Sequence, residues 1–159
     1  RKYKLEKKMR RQDKLMPYDE CVEVLETAEY GMLATVSTDD TPYITPINFV
    51  YTNGAIYFHC AKEGHKIENI KHNKNVCFNV VDSVELMPEK FSTKFRSAMV
   101  FGTIEIVEDI NEKRKSICAI AEKFSPDYHD EGLKYIDSAF DNIYMLKVNI
   151  DRITGKAAK

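Results

Sequence analysis

The chain has no Cys-x-x-Cys pair, and its four cysteines, Cys21, Cys60, Cys77 and Cys118, stand far apart in mostly apolar surroundings. That spacing argues against a disulfide framework and reads as reduced, mostly buried thiols. No apolar run approaches the roughly 20 residues of a membrane helix, and the basic start lacks the apolar segment of a signal peptide, so a cytoplasmic protein is expected. Neither sign of charge dominates: 24 Lys and Arg stand against 25 Asp and Glu, and nothing calls for nucleic acid or a membrane as partner. Repeats and low-complexity stretches are also missing, with only 6 Gly and 5 Pro in 159 residues. What is present is a 43% hydrophobic and 11% aromatic complement, enough for one compact domain with its own core. Residues 1–14 hold eight basic side chains against Glu6 and Asp13 and read as a solvated or dimer-draping arm; residues 15–159 form the domain.

The periodicity predicts mostly strands. Pro17 suits a first helical turn, and Cys21, Val22, Leu25 and Ala28 follow at helical spacing to about Glu29. Met32 to Ser37 reads as a strand, Thr38 to Thr41 as a turn, and Tyr43 to Tyr51 as one long strand. Thr52-Asn53-Gly54 predicts a hairpin, because Asn and Gly both accept positive φ, with Ala55 to Cys60 as the returning strand. A short helix follows Gly64, then a strand from Asn75 to Val84, an irregular basic loop over Phe91 to Ser97, and a strand from Ser97 to Val107 with Gly102 as a bulge or close-approach point. Asn111 is expected to cap a helix from Glu112 to Phe124, stopped by Ser125-Pro126-Asp127. A short helix near Gly132 to Ala139 and a strand from Ile143 to Ile150 complete a mainly β chain, an antiparallel β-barrel with peripheral helices.

One segment carries most of the chemistry. Phe58-His59-Cys60-Ala61-Lys62-Glu63-Gly64-His65-Lys66 runs from a strand through a glycine turn into a helix start, where open N–H groups and a positive dipole end face an anion and His65, Lys66 and Lys62 add cations. A solvated helix cap is the plainer reading of those residues taken alone. Pro46 deletes a ladder donor within the preceding strand, which either marks an edge or frees the main chain around Ile47 and Asn48 for a ligand. His59 and Cys60 are strand neighbours pointing to opposite faces, so they do not share a metal ion, and no metal site is read. There is no Ser/His/Asp arrangement, no Gly-x-Gly-x-x-Gly and no carboxylate pair at catalytic spacing. A chain with a cofactor cradle and few acids or bases lets the cofactor do the chemistry.

The order PYITPINFVY, TNG, AIYFHCAKEGHKIENI, NVCFNVV resembles the FMN-binding split-barrel proteins related to pyridoxamine 5′-phosphate oxidase, specifically their nitroimidazole-resistance branch, over about Met9 to Lys156. The resemblance implies a split barrel, a homodimer with two FMN molecules at the subunit interface, and reduction of small electron-poor substrates such as nitroimidazoles. It puts the phosphate lysine on Lys66, runs Pro46, Ile47, Asn48 and Phe49 along the flavin ring, and adds His59, Cys60, Ala61, Gly64 and His65 to the cofactor contacts. Arg96 and Ser97 would approach the partner's flavin. His59 is the candidate catalytic group; it handles a proton, shapes substrate access or simply packs beside the ring. The rival class is a non-catalytic flavin or haem module used for storage or sensing. A true pyridoxamine phosphate oxidase is disfavoured, since that enzyme's substrate-phosphate arginine motif is not recognised near the Gly155-Lys156 ending.

Overall fold

The computed structural model describes residues 7–159; the first six residues of the basic arm lie outside the described residues. Seven strands form one antiparallel sheet: β1 Tyr30–Val36, β2 Pro42–Asn48, β3 Val50–Thr52, β4 Ala55–Ala61, β5 Asn75–Met87, β6 Ser92–Ile106 and β7 Ile143–Ala158. Their order is β2-β1-β5-β6-β7-β4-β3. The two edges are therefore consecutive strands joined by Phe49 alone. A sheet with that connection has to curl until the end of one edge strand leads straight into the other, and the split barrel results.

Alternation along the strands sorts side chains to two cores. Leu33, Ile56, Phe58, Phe78, Val100 and Leu146 fill the barrel interior, where Phe49 meets Phe78 edge-on with ring centres 4.8 Å apart. Helix α1 (Tyr18–Thr27) adds Cys21, Val24 and Leu25 to that core, and α2 (His65–His72) adds Ile67 and Ile70. Outside the barrel, α3 (Ile110–Phe124) and α4 (His129–Ala139) cover β3, β4 and β7 with Ile117, Ile120 and Ile136 against Val50, Tyr57 and Met145. Lys123 fastens α3 to the barrel. Its ammonium donates to the carbonyls of Ala28 at 2.5 Å and Phe49 at 3.0 Å.

Four sequence expectations change. The strand read from Tyr43 to Tyr51 is split at Phe49, where the chain leaves its pairing with β1 for pairing with β4 and buries the Phe49 ring. The loop read over Phe91 to Ser97 is instead the start of β6: Phe91 takes a left-handed turn at φ 49, and Ser92 pairs at once with Met87. Helix α3 is capped by Asp109, whose carboxylate accepts from the Glu112 amide at 2.7 Å, and not by Asn111. The last strand runs eight residues past Ile150, since its partner β6 extends equally far.

Gly102 is both a bulge and a point of close approach. The pairing shifts there, with Phe101 opposite Arg152 and Gly102 opposite Ile150, and a Cβ on Gly102 would run into the main-chain carbonyl of Asn149. Gly102→Ala is expected to lower stability by about 1–3 kcal/mol, since a backbone atom cannot swing aside. Gly132→Ala, where a Cβ meets only Ala121 at 3.9 Å within α4, should raise it by up to about 1 kcal/mol. Urea unfolding of the two variants decides; an unchanged midpoint for Gly102→Ala would refute the close approach.

Candidate functional site

The site is built on the β3–β4 hairpin together with the glycine loop and α2 beyond it. Asn53 at φ 50 and Gly54 at φ 70 make the tight turn, and Val50 pairs with Tyr57 across it. Beyond the turn, Phe58 points into the barrel and is fully buried, while His59 lies on the outer side facing α3 and α4. Ala61 to Gly64 then turns the chain into α2. Gly64 sits at φ 124 and ψ 168, a conformation open to glycine almost alone, and nothing lies within 4 Å of where its Cβ would be. No side chain caps α2, so its first-turn N–H groups face outward beside the cations.

Those cations are gathered by specific contacts. The His65 ring lies over Tyr43 with centres 4.0 Å apart, and its Nε2 is 3.0 Å from the Ser37 hydroxyl. Lys66 is half-buried, its ammonium 5.8 Å from the centre of the Phe58 ring. Lys62 and Lys71 both stand over Tyr144, at 5.5 and 5.9 Å. Glu63 is exposed on the same loop. The result is a cluster of donors and positive charge from Lys62, His65 and Lys66 around one helix start, with Lys71 in the helix's last turn and Ser37 as an added hydroxyl that the sequence pattern does not reveal.

His59 joins this cluster to a cavity. It lines, with Asn48, a space of about 490 Å³ walled by α3 and α4 residues including Ile117, Ile120, Phe124, Tyr128, Tyr135 and Ile136. The side chain of His59 still reaches solvent, but partial desolvation by the packing around it lowers its pKa from the ordinary 6.5, and the charge of Lys66 lowers it further. His59 is thus held neutral near pH 7. Burial raises the Cys60 thiol against the pull of Lys66, so Cys60 stays protonated and is no nucleophile.

The remaining predicted residues divide into near and far. Asn48 donates from Nδ2 to the Glu29 carbonyl at 3.0 Å, which leaves its Oδ1 for the cavity side. Pro46 lies exposed on edge strand β2 opposite Met32, and Ile47 is buried beneath. The Phe49 side chain is sealed in the core, and its carbonyl is taken by Lys123. Arg96 and Ser97 are not brought to this cluster within one chain. Ten residues of β6 separate Arg96 from Ile106 at the Lys66 end, about 30 Å at roughly 3.3 Å per residue. Arg96 grips Asp82 with two bonds of 3.0 and 2.8 Å and Glu23 at 3.2 Å, and Ser97 donates to the Lys156 carbonyl at 3.4 Å.

The wall residues Phe124, Tyr128 and Tyr135 escape a reading of the sequence. They come from the end of α3, the turn after it and α4, so no single helical period in the sequence groups them. Among the described residues no three His, Cys, Asp or Glu side chains come together as metal ligands.

A family model described as pyridoxamine 5′-phosphate oxidase matches residues 17–157. Among solved structures, a candidate 5-nitroimidazole antibiotic resistance protein of Bacteroides thetaiotaomicron is 30% identical, over 90% of this chain and 86% of that one, with a TM-score of 0.77. An FAD-binding protein of Mesorhizobium loti is 22% identical over 91% and 97% of the two chains, with a TM-score of 0.64. The FAD and heme binding protein of Mycobacterium smegmatis is 20% identical over 92% and 74%, with a TM-score of 0.76. The last two likenesses are likenesses of fold. No curated protein matches the chain.

The placement of His59 is testable by pH. The folded state disfavours its protonation, so its contribution to stability is complete above the unfolded value near 6.5 and is lost as pH falls through the lower folded value. The His59 ring signal in an NMR titration should have its midpoint below 6.5, and Lys66→Met should move it part of the way back while burial holds the rest. A midpoint at or above the ordinary value would contradict the desolvated, cation-facing placement.

Proposed function

Because the chain belongs to the pyridoxamine 5′-phosphate oxidase family, we propose that it is an FMN-binding flavoprotein that reduces small electron-poor molecules, nitroimidazoles among them. The observation that carries this reading is the uncapped start of α2, with Gly64 open, His65 and Lys66 beside it, and His59 leading from it into the cavity. The donor set fits a terminal phosphate: outward N–H groups, a hydroxyl at Ser37, and cations that include a half-buried lysine. Lys66, His65 and Ser37 would hold that phosphate, while Asn48 Oδ1 and the main chain by Pro46 and Ile47 would meet the ring edge. Bound FMN supplies reversible one- and two-electron transfer, which no side chain here provides. Neutral His59 is suited to donate a hydrogen bond or hand on a proton at the cavity mouth.

A shared site in a homodimer is supported by the sheet itself. α3 and α4 cover one outer face only. On the other, the register aligns Met32, Ala34, Ile44, Cys77, Val81, Met99 and Phe101, with Ile44 at 58% and Val81 at 51% exposure. An apolar face of that extent suits a second copy of the chain. Arg96, at the far end, reaches a flavin only across such an interface, and only by loosening its pairs with Asp82 and Glu23.

Flavin released by denaturation and run by chromatography should be FMN; FAD alone, or no flavin after reconstitution, would overturn the cofactor reading. Lys66→Ala should weaken FMN by roughly 10- to 150-fold, the worth of a charge-assisted hydrogen bond, and leave riboflavin nearly unaffected. Equal losses for both would assign Lys66 to folding. In sedimentation the wild type should be a dimer at micromolar concentration and Val81→Lys a folded monomer with weakened FMN; a monomer that holds FMN tightly would rule out the shared site. Anaerobic mixing of the photoreduced protein with a nitroimidazole should reoxidise the flavin faster than free reduced FMN reacts. A rate no faster favours the non-catalytic binding module.

A further inference from the structure

The cavity between the barrel and the α3–α4 pair has a lining unlike that of a phosphate site. Three aromatic side chains stand exposed around it, Phe124 at 36%, Tyr128 at 64% and Tyr135 at 72%, although soluble surfaces rarely gather large rings at one opening. Its floor is aliphatic, from Ile117, Ile120, Ile136 and Ile143. No lysine or arginine lines it, and the one carboxylate that does is Glu131. Its volume of about 490 Å³ is several times that of a single small ring and lies within the usual range for drug-sized ligands. His59, on the barrel side, is the residue through which it adjoins the cation cluster.

We propose that this cavity is a substrate chamber for planar molecules of two or three fused rings, uncharged or cationic, and that it disfavours anions. The proposal rests on the flavin reading, in that the chamber opens on the residues assigned to the ring edge. Flat rings match the aromatic walls, because offset stacking and edge contacts between rings add attraction beyond area burial. A carboxylate among aromatic faces also favours a cation, since each ring face is negative as well. The cations at α2 serve the phosphate end, and the chamber has none, so the two halves of the site select opposite charge. A one-ring nitroimidazole fills only part of such a space, and the chamber accordingly predicts tighter binding for larger acceptors.

Calorimetry on the protein as purified, with its flavin content measured first by absorbance, tests this. Menadione, neutral and two-ringed, should bind in the micromolar range, and the corresponding naphthoquinone sulfonate roughly fivefold or more weaker, as one like-charge contact in water requires. Glu131→Gln should narrow that gap. Gly132→Leu and Ala139→Phe, which fill the chamber from two points on α4, should each weaken menadione at least tenfold while flavin content and the unfolding midpoint hold. Unchanged menadione binding in both folded variants overturns the proposal. Loss of flavin together with menadione also overturns it, because the cavity would then house the cofactor ring. Wild-type protein that takes up no flavin but binds menadione, with both variants impaired, would sink the flavin reading and leave the chamber standing.

Discussion

The main chain passes from one edge of the sheet to the other at Phe49, and most of the architecture depends on that crossing. Both edges of the sheet meet at this residue, so its ring has to be inside for the sheet to curl at all. Phe78 receives it edge-on, and the carbonyl that the crossing strips from the ladder is taken by Lys123 from α3. A buried carbonyl left without a donor costs about 1–3 kcal/mol, so the lysine answers a need the topology creates. The same ammonium takes the Ala28 carbonyl at the end of α1, where a cation is favoured by the helix dipole. One side chain thereby ties α1, α3 and the strand break together. The burial this requires pushes its pKa down.

That tie places the site. Asn48 precedes the crossing, and its amide is spent on Glu29, one residue from Ala28 in the same knot. With α3 fixed by Lys123, the next residue, Phe124, stands at the cavity wall facing Asn48 and His59. Alternation along β4 then does the rest: Phe58 turns inward, its ring centre 5.8 Å from the Lys66 ammonium, and His59 turns outward to the cavity. A slip of one residue in the pairing of β4 with β7 would exchange those faces and separate the cations from the chamber.

The parts of this arrangement legible in the sequence were the local ones. Asn53-Gly54 and Gly64 announce their backbone angles, and alternating residues announce β4 and β5. Gly102 was legible because a lone glycine inside a strand marks a bulge or a close backbone approach. What the sequence hid was set by partners far along the chain. Phe49 looks like one more strand residue until the strand order makes both its neighbours edges. Asp109 and Asn111 are equally good caps by type, and only the observed start of α3 at Ile110 chooses between them. Lys123 reads as a solvated residue near a helix end, since its two acceptors lie 74 and 95 residues away.

Arg96 has a duty within its own chain besides any part in a shared site. Its guanidinium, 28% exposed, is held in a fork by Asp82 and touched by Glu23, which raises its pKa and spends most of its donors. Coming free for a flavin would break a paired contact and strand two carboxylates. Asp82 is the directly opposite residue on β5, and the register slips just beyond it, between Asp82 and Glu85. A fork at the last regular rung before a bulge pins the pairing there, as cross-strand charge pairs do. Fixing that rung also fixes how the long β5–β6 hairpin leaves the barrel, with Val84, Leu86 and the fully exposed Phe91 carried out beyond it. Within one chain, then, Arg96 sets the direction in which this hairpin leaves the barrel, and that duty alone accounts for its pairing with Asp82.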